Sequence, residues 1–499
     1  QVKPGRFQRD TLRMGKRYED RGALFFDAEG DGDLDLYVVS GGPVQSADST
    51  VYQDRLYLND GTGSFRRAKE GLPEIRAGGS VVTAADYDRD GDLDLFVGGR
   101  TRPGEYPLPP RSYLLRNDSK DGSVRFTDVT KQVAPELTEP GLVTDALWTD
   151  YDDNGQIDLM VVGEWMPITV LKNNIVEFGT RRFTEVTKEV GLGDTSGWWL
   201  SLAAGDFDRD GDTDYVAGNL GQNTRYEASP RKPVRVHAKD YDKNGQIDPV
   251  LTKYMGGRSV PLPRLDEMTA QIPGLKSRFP SYSSYAKATF ADVFTEEERK
   301  GAYVREAVRF ETSYVENEAD GTFSVRALPV LAQTAPVFGM KAGNFDENSH
   351  LDLLMVGNWY ATDSRSSRAD AFVGALLKGD GTGRFTYESY SKSGFLVEGD
   401  GKGLAQIETG GGSSLLVATQ SDGPLQAFQL QRSPGRRHVE IRPTDRYAEL
   451  TFKDGSTRKV EFYYGSTYLS QSSRTLIIPD KVTEAMIYSM SGSSRAVLE

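Results

Sequence analysis

Residues 84–100 read AADYDRDGDLDLFVGGR. An apolar approach leads into Asp86, Asp88, Asp90, Gly91 and Asp94 at the spacing D-x-D-x-D-G-x-x-D. A second apolar run follows and ends on glycine. The same pattern recurs as FFDAEGDGDLDLYVVSGG from Phe25, WTDYDDNGQIDLMVVGEW from Trp148, AGDFDRDGDTDYVAGNLG from Ala204, AKDYDKNGQIDPVLTKY from Ala238 and AGNFDENSHLDLLMVGNWY from Ala342. A repeat of this length is one supersecondary unit that buries its apolar faces only by stacking on its neighbours.

Working outward, most copies are followed by a plainer hairpin, such as LYLNDGTGSF before Arg66, YVENEADGTF before Ser324 and LLKGDGTGRF before Thr386. Asp-Gly steps between alternating segments are tight-turn signals. Each unit therefore supplies an inner strand pair joined by the acidic loop and an outer pair joined by a turn. Units of four strands at such a period make a propeller. A seventh unit without an acidic loop is read from Gly403–Glu408, Ser413–Thr419 and Leu425–Leu430. The expected fold is all-β: a seven-bladed β-propeller over residues 1–434, with the strand near Gly5-Arg6-Phe7 completing the last blade. A small β domain is expected over 435–499. Between about 263 and 302, RLDEMTAQI, PGLKSRF and YSSYAKATFADVF read as short helices bounded by Pro273 and Pro280. That insertion is expected over the channel face, as a lid, a partner surface or a plug.

The acidic loops read as calcium sites. Ca²⁺ takes six to eight oxygen ligands, and alternate carboxylates around an obligatory glycine turn supply them. Five loops carry the set: Asp27, Glu29, Asp31, Asp33 and Asp35; Asp86, Asp88, Asp90, Asp92 and Asp94; Asp150, Asp152, Asn154, Gln156 and Asp158; Asp206, Asp208, Asp210, Asp212 and Asp214; Asp240, Asp242, Asn244, Gln246 and Asp248. The seventh position offers its backbone carbonyl, and the ninth closes the cage. A sixth loop has Asn344, Asp346, Asn348 and Asp352, but Ser349 replaces glycine, so weak or no binding is expected there. The chain has 73 Asp and Glu against 60 Lys and Arg, a formal charge of −13, and 25 of the acids fall in these loops. Without the loops the balance would be basic. Such crowding is repulsive unless a cation offsets it.

These residues resemble the FG-GAP/VCBS repeat proteins, whose propeller blades bind calcium through such loops. The stretches AELTFKDGSTRKVEF from Ala448 and YYGSTYLSQSSR from Tyr463 resemble the ASPIC/UnbV domain that often follows such propellers, although the ending TLIIPDKV departs from that pattern. The combination is similar to surface-exposed proteins of Bacteroidota-type bacteria. It implies a binding or scaffold role at the cell surface or outer membrane, with a glycan or a surface protein as partner. The chain starts at Gln1 without a signal sequence, which reads as a mature or trimmed piece.

Loops leaving the second strands gather on the face opposite the acidic loops. They bring Arg100, Glu164, Trp165, Asn219 and Trp359 there, and loops entering the first strands add Asp145, Trp198 and Trp199. Aromatic platforms beside polar groups suit a sugar or a peptide side chain; the plainer reading is that the tryptophans pack between blades. The acidic balance argues against nucleic-acid binding, and no apolar run is long enough to cross a membrane. With no cysteine and only His237, His350 and His438, thiolate chemistry and a zinc cluster have no residues to build on. The residues therefore favour a non-catalytic role. The alternative is a carbohydrate-active enzyme, a lyase or a hydrolase, with Asp145 and Glu164 facing each other across the channel.

Overall fold

The computed structural model describes residues 18–42, 49–175, 181–346, 348–362, 367–409, 413–430 and 436–498. The strand expected around Phe7 lies outside them. The chain is all-β, with 45% strand and 9% helix, arranged as several small antiparallel sheets.

Six of these sheets follow one another along the chain. The first holds Asp20–Phe26, Asp35–Ser40, Arg55–Asn59 and Phe65–Arg67, and the second holds Gly78–Ala85, Asp94–Thr101, Tyr113–Asn117 and Phe126–Asp128. The third is built on Leu142–Thr149 and Asp158–Met166, and the fourth on Ser201–Gly205, Asp214–Gly218, Ser313–Asn317 and Phe323–Ala327. Val337–Gly343 opens the fifth, and Gly401–Thr409 opens the three-stranded sixth. The opening strands pack against one another in chain order, a propeller-like arrangement.

The cores lie between sheets. Leu95 and Val97 face Leu24, Phe26 and Leu56 of the first sheet, while Phe96 between them faces Val143 and Val161 of the third. A strand buried on both faces reads as a continuous apolar run, which is why DLFVGG lacks polar alternation. Its terminal glycines answer to space. A Cβ on Gly218 would stand 2.6 Å from the Val337 carbonyl oxygen of the fifth sheet, so any side chain there would push two sheets apart.

The described residues make six such sheets rather than seven, because the fifth acidic hairpin belongs elsewhere. Val234–Lys239 and Asp248–Met255 pair with Arg258–Pro261 and Tyr303–Ala307 in a separate sheet, inserted between the second and third strands of the fourth. The hairpin YVENEADGTF completes the fourth sheet, where the Asn317 N–H donates to Asp214 at 3.0 Å. One face of the inserted sheet packs Val234 and Val236 against Trp165 and Trp198. The other carries Val250 against the short helices, including Leu265–Gln271 and Phe290–Val293. The inserted sheet thus lies against the channel face, with the helices on its far side.

Residues from Arg437 to Leu498 form a small β unit with its own core around Ala448, Leu450, Leu476 and Ile487. Its segment Tyr463–Arg474 leaves that unit and runs along the opening strands of the sheets. The Tyr464 carbonyl accepts from the Ala84 N–H at 3.1 Å. Gln471 bonds both the N–H and the carbonyl of Phe25 at 2.9 Å. Ser472 and Ser473 accept from the N–H groups of Gln406 and Glu408. One short arm therefore ties the first, second and sixth sheets together at their inner edges.

Candidate functional site

Two regions carry chemistry, at opposite ends of the strands in the sheets that follow one another. The loop of the inserted sheet differs, since Ile247 and Pro249 beside its Asp248 line the cavity. At one end are the acidic loops. Four of them gather three carboxylates with ligand atoms within 4.8 Å of one another: Asp86, Asp88 and Asp90; Asp150, Asp152 and Asp158; Asp206, Asp208 and Asp210; Asp240, Asp242 and Asp248. The first loop, where Glu29 stands at the third position, is not among these groups. The donor set is all oxygen, which suits a hard cation.

Buried oxygens of Asp88, Asp92, Asp150, Asp152, Asp158 and Asp212 have no hydrogen-bond partner within the protein. Orphaned buried acceptors of this kind need an external ligand. Burial and then neighbouring carboxylates push Asp92 and Asp212 upward. Burial takes Asp158 and Asp214 up to about 8. Such groups would hold protons at neutral pH unless a cation replaced them. The residues thus fit Ca²⁺, which would neutralise the loops and fix their turns.

The ninth-position aspartate has a second role that the spacing did not reveal. Asp214 accepts from the Phe207 N–H within the loop and from Asn317 on the third strand; Asp94 does the same with Tyr87 and Asn117. The asparagine then reaches the loop of the preceding sheet. Asn117, Asn173 and Asn317 donate their side-chain amides to the carbonyls of Ala28, Tyr87 and Tyr151 at 3.1, 2.9 and 2.7 Å. The first three acidic loops are thereby pinned to the next sheet. In the fifth sheet Gly379 takes the asparagine's place, and Asp352 accepts from its N–H at 3.0 Å.

The C-terminal unit sits on these loops. Arg446 pairs with Asp150 and donates to the Gly155 carbonyl. Lys459 pairs with Asp153, lies 3.7 Å from Glu461, and donates its backbone N–H to Asp206. In the sixth loop Arg436 donates to Asn344 at 3.0 Å, and the Lys378 ammonium lies 2.7 Å from Asp346. Protein cations stand there on the donors a metal would use.

At the other end lies a cavity of about 1690 Å³. Arg100, Glu164, Trp198 and Trp359 line it, as the loop order leads one to expect. Arg100 and Glu164 form an ion pair across the second and third sheets. Trp198 packs edge-on against Trp165 and Tyr226, both at 4.9 Å between ring centroids.

The other four expected contacts are not on the wall. Asp145 is buried and accepts from the Ala146 and Leu202 N–H groups at 2.9 and 2.8 Å. Burial pushes it up to about 7. It ties the third sheet to the fourth and, unlike Glu164, is not on the cavity wall. Trp199 fills the core between those sheets and donates its indole N–H to the Thr195 carbonyl. Asn219 is fully buried and satisfied by Arg309 and Leu220. Trp165 backs the wall from behind Trp198 and donates to the Tyr106 hydroxyl at 2.8 Å.

The sequence reading missed much of the wall. Tyr468 comes from the C-terminal arm and packs on Phe338 at 5.0 Å, while Lys402 lies over the same Phe338 ring at 3.7 Å. Pro249 and Leu251 come from the inserted sheet, and Ile247 from the acidic loop that leads into their strand. No local pattern places residues so far apart in the chain on one surface.

The all-β, propeller-like fold and its acidic loops define a class, and the family comparison agrees. The chain carries FG-GAP-like repeats, matched at residues 27–97 and 150–217. Among characterised proteins it is similar to cartilage acidic protein 1. The mouse protein is 29% identical over 130 residues, 24% of this chain and 18% of that protein. The Xenopus tropicalis protein is 26% identical over 187 residues, 35% of this chain and 27% of that protein. The matched region spans under a third of either relative's length. Among solved structures, the crystal structure of rhamnogalacturonan lyase YesW aligns over 92% of this chain and 73% of its own, with 12% identity and a TM-score of 0.34.

Proposed function

We propose that the chain is a calcium-stabilised, non-catalytic binding module of the cell surface that takes a glycan segment in the cavity opposite the acidic loops. The cavity carries this reading: it is larger than a drug-sized pocket and presents Trp359 and Tyr226, with the edge of the largely buried Trp198, beside arginines. Flat aromatic faces with adjacent polar groups suit pyranose rings. Calcium in the loops of the sheets that follow one another would act on the fold alone, since those loops sit at the far end of the strands. The loop of the inserted sheet, with Asp248 between Ile247 and Pro249 of the wall, borders the cavity itself. Extracellular calcium is abundant enough to load even sites of modest affinity, which favours a location outside the cell. The C-terminal unit, read as ASPIC/UnbV-like, would serve to lock the sheets through its arm. Glycan-array binding with unchanged glycan length after incubation tests the proposal. No glycan binding in saturating calcium would overturn it.

A second reading, an eliminative carbohydrate enzyme, has one observation in its favour: Arg100 and the Tyr106 hydroxyl are both on the cavity wall. An unsaturated product absorbing in the ultraviolet would establish it in place of the binding role.

A further inference from the structure

We propose that the cavity is specific for a carboxylated oligosaccharide, with Arg225 and Arg368 as its carboxylate receptors; this rests on the glycan-binding reading above. The whole chain carries −13, yet the wall reverses that sign. Six basic side chains, Arg21, Arg100, Arg102, Arg225, Arg368 and Lys402, face three acids, Glu164, Asp400 and Asp422. Clustering cations in one hollow of an acidic protein draws in an anion and keeps the rest of the surface repulsive to it.

The pairing within the wall says which cations are available. Glu164 is taken by Arg100, and Asp400 lies 2.6 Å from Lys402. Arg102 pairs with Glu105 at 2.5 Å, and Arg21 lies 3.6 Å from Glu19. Arg225 and Arg368 have no carboxylate partner among the described residues. Each instead lies over an adjacent aromatic ring: Arg225 over Tyr226 at 5.2 Å and Arg368 over Tyr360 at 5.1 Å. Arg225 also donates from Nη2 to the Tyr226 hydroxyl at 3.3 Å, and the guanidinium donors left over at both arginines match a carboxylate in two parallel hydrogen bonds.

The remaining wall discriminates between anions. An extended acidic peptide would find few backbone partners on a surface of rings. A sugar acid presents a ring face and a carboxylate together, which Trp198, Trp359 and the two Tyr–Arg stacks would meet at once. The volume of about 1690 Å³ accommodates several residues of such a chain, so alternate carboxylates could reach Arg225 from the inserted loop and Arg368 from the fifth sheet.

The test uses the full chain in saturating calcium and calorimetric titration with short oligosaccharides of galacturonate, glucuronate and mannuronate, each beside its carboxyl-reduced counterpart, and with a sulfated oligosaccharide and poly-glutamate for comparison. At least one acidic form is expected to bind at least about tenfold more tightly than its reduced form, the value of one charge-assisted contact. Arg225→Ala and Arg368→Ala are each expected to weaken it by about tenfold. Both residues are exposed, so melting temperatures should be unchanged. Equal affinity for acidic and reduced forms would overturn the carboxylate specificity and leave the glycan reading intact. Preference for sulfated oligosaccharides would overturn the carboxylate assignment alone. Binding of poly-glutamate with no binding of any saccharide would overturn both.

Discussion

Asp88→Ala gives the most direct test of the acidic loops, because its effect should depend on calcium. The carboxylates of Asp86, Asp88 and Asp90 offer ligand atoms within 4.8 Å of one another, and one oxygen of Asp88 is buried without a partner. Two unit charges at that separation repel by about 3.5 kcal/mol at an effective dielectric of 20, and by about 0.9 in bulk water. The loop is partly solvated, and burial and then neighbouring acids have already pushed Asp86 up to about 6. Removing one charge should therefore stabilise the calcium-free protein by about 1–3 kcal/mol. Calcium at 100 times its dissociation constant adds about 2.7 kcal/mol per site. Losing a carboxylate ligand that weakens the site about 100-fold would leave about 0.4 of that. Urea titrations in chelator and in calcium should show a variant more stable than the parent in the first condition and a calcium increment smaller by about 2 kcal/mol. A variant less stable in chelator, with an unchanged calcium increment, would refute the loop as a metal cage.

The pH dependence follows from the same crowding. Asp158 and Asp214 are pushed from an ordinary value of 3.8 up to about 8. The folded chain thus holds protons that the unfolded chain releases, and calcium-free stability should fall as pH rises from about 4 to about 8. Calcium should flatten that slope; a chelated protein that gains stability over pH 5 to 8 would contradict it. Asn173→Ala removes the donor to the buried carbonyl of Tyr87 and the half-buried carbonyl of Ile157 and is expected to cost about 1–3 kcal/mol in urea titration. A cost under about 0.5 kcal/mol would show that the inter-sheet tie is idle. Lys459→Met leaves the buried Glu461 without its ammonium and should cost about 3 kcal/mol. It should also make the unit from Arg437 to Leu498 more susceptible to limited proteolysis, and unchanged cleavage would mean that this unit is held by other contacts.

The nine-residue loops, their glycines and the hairpins flanking them were legible because every contact that shapes them lies within a few residues. The Gly91 N–H bonds Asp86 five positions earlier, for example. The same holds for the all-β class and for the balance of charge carried by the loops. Sheet membership was not legible. The fifth hairpin has the same local pattern as the others, and what excludes it from the series is the pairing of Asp214 with Asn317, 103 residues away. The tryptophans divide in the same manner: Trp198 and Trp199 are neighbours in sequence, yet one lines the cavity and the other fills a core. The basic wall and the arm that joins Gln471 to Phe25 across 446 residues exist only once the sheets have assembled. Local hydrogen bonding and turn sterics are written into a short stretch of chain, whereas the surface that meets a ligand depends on which distant strands close against each other.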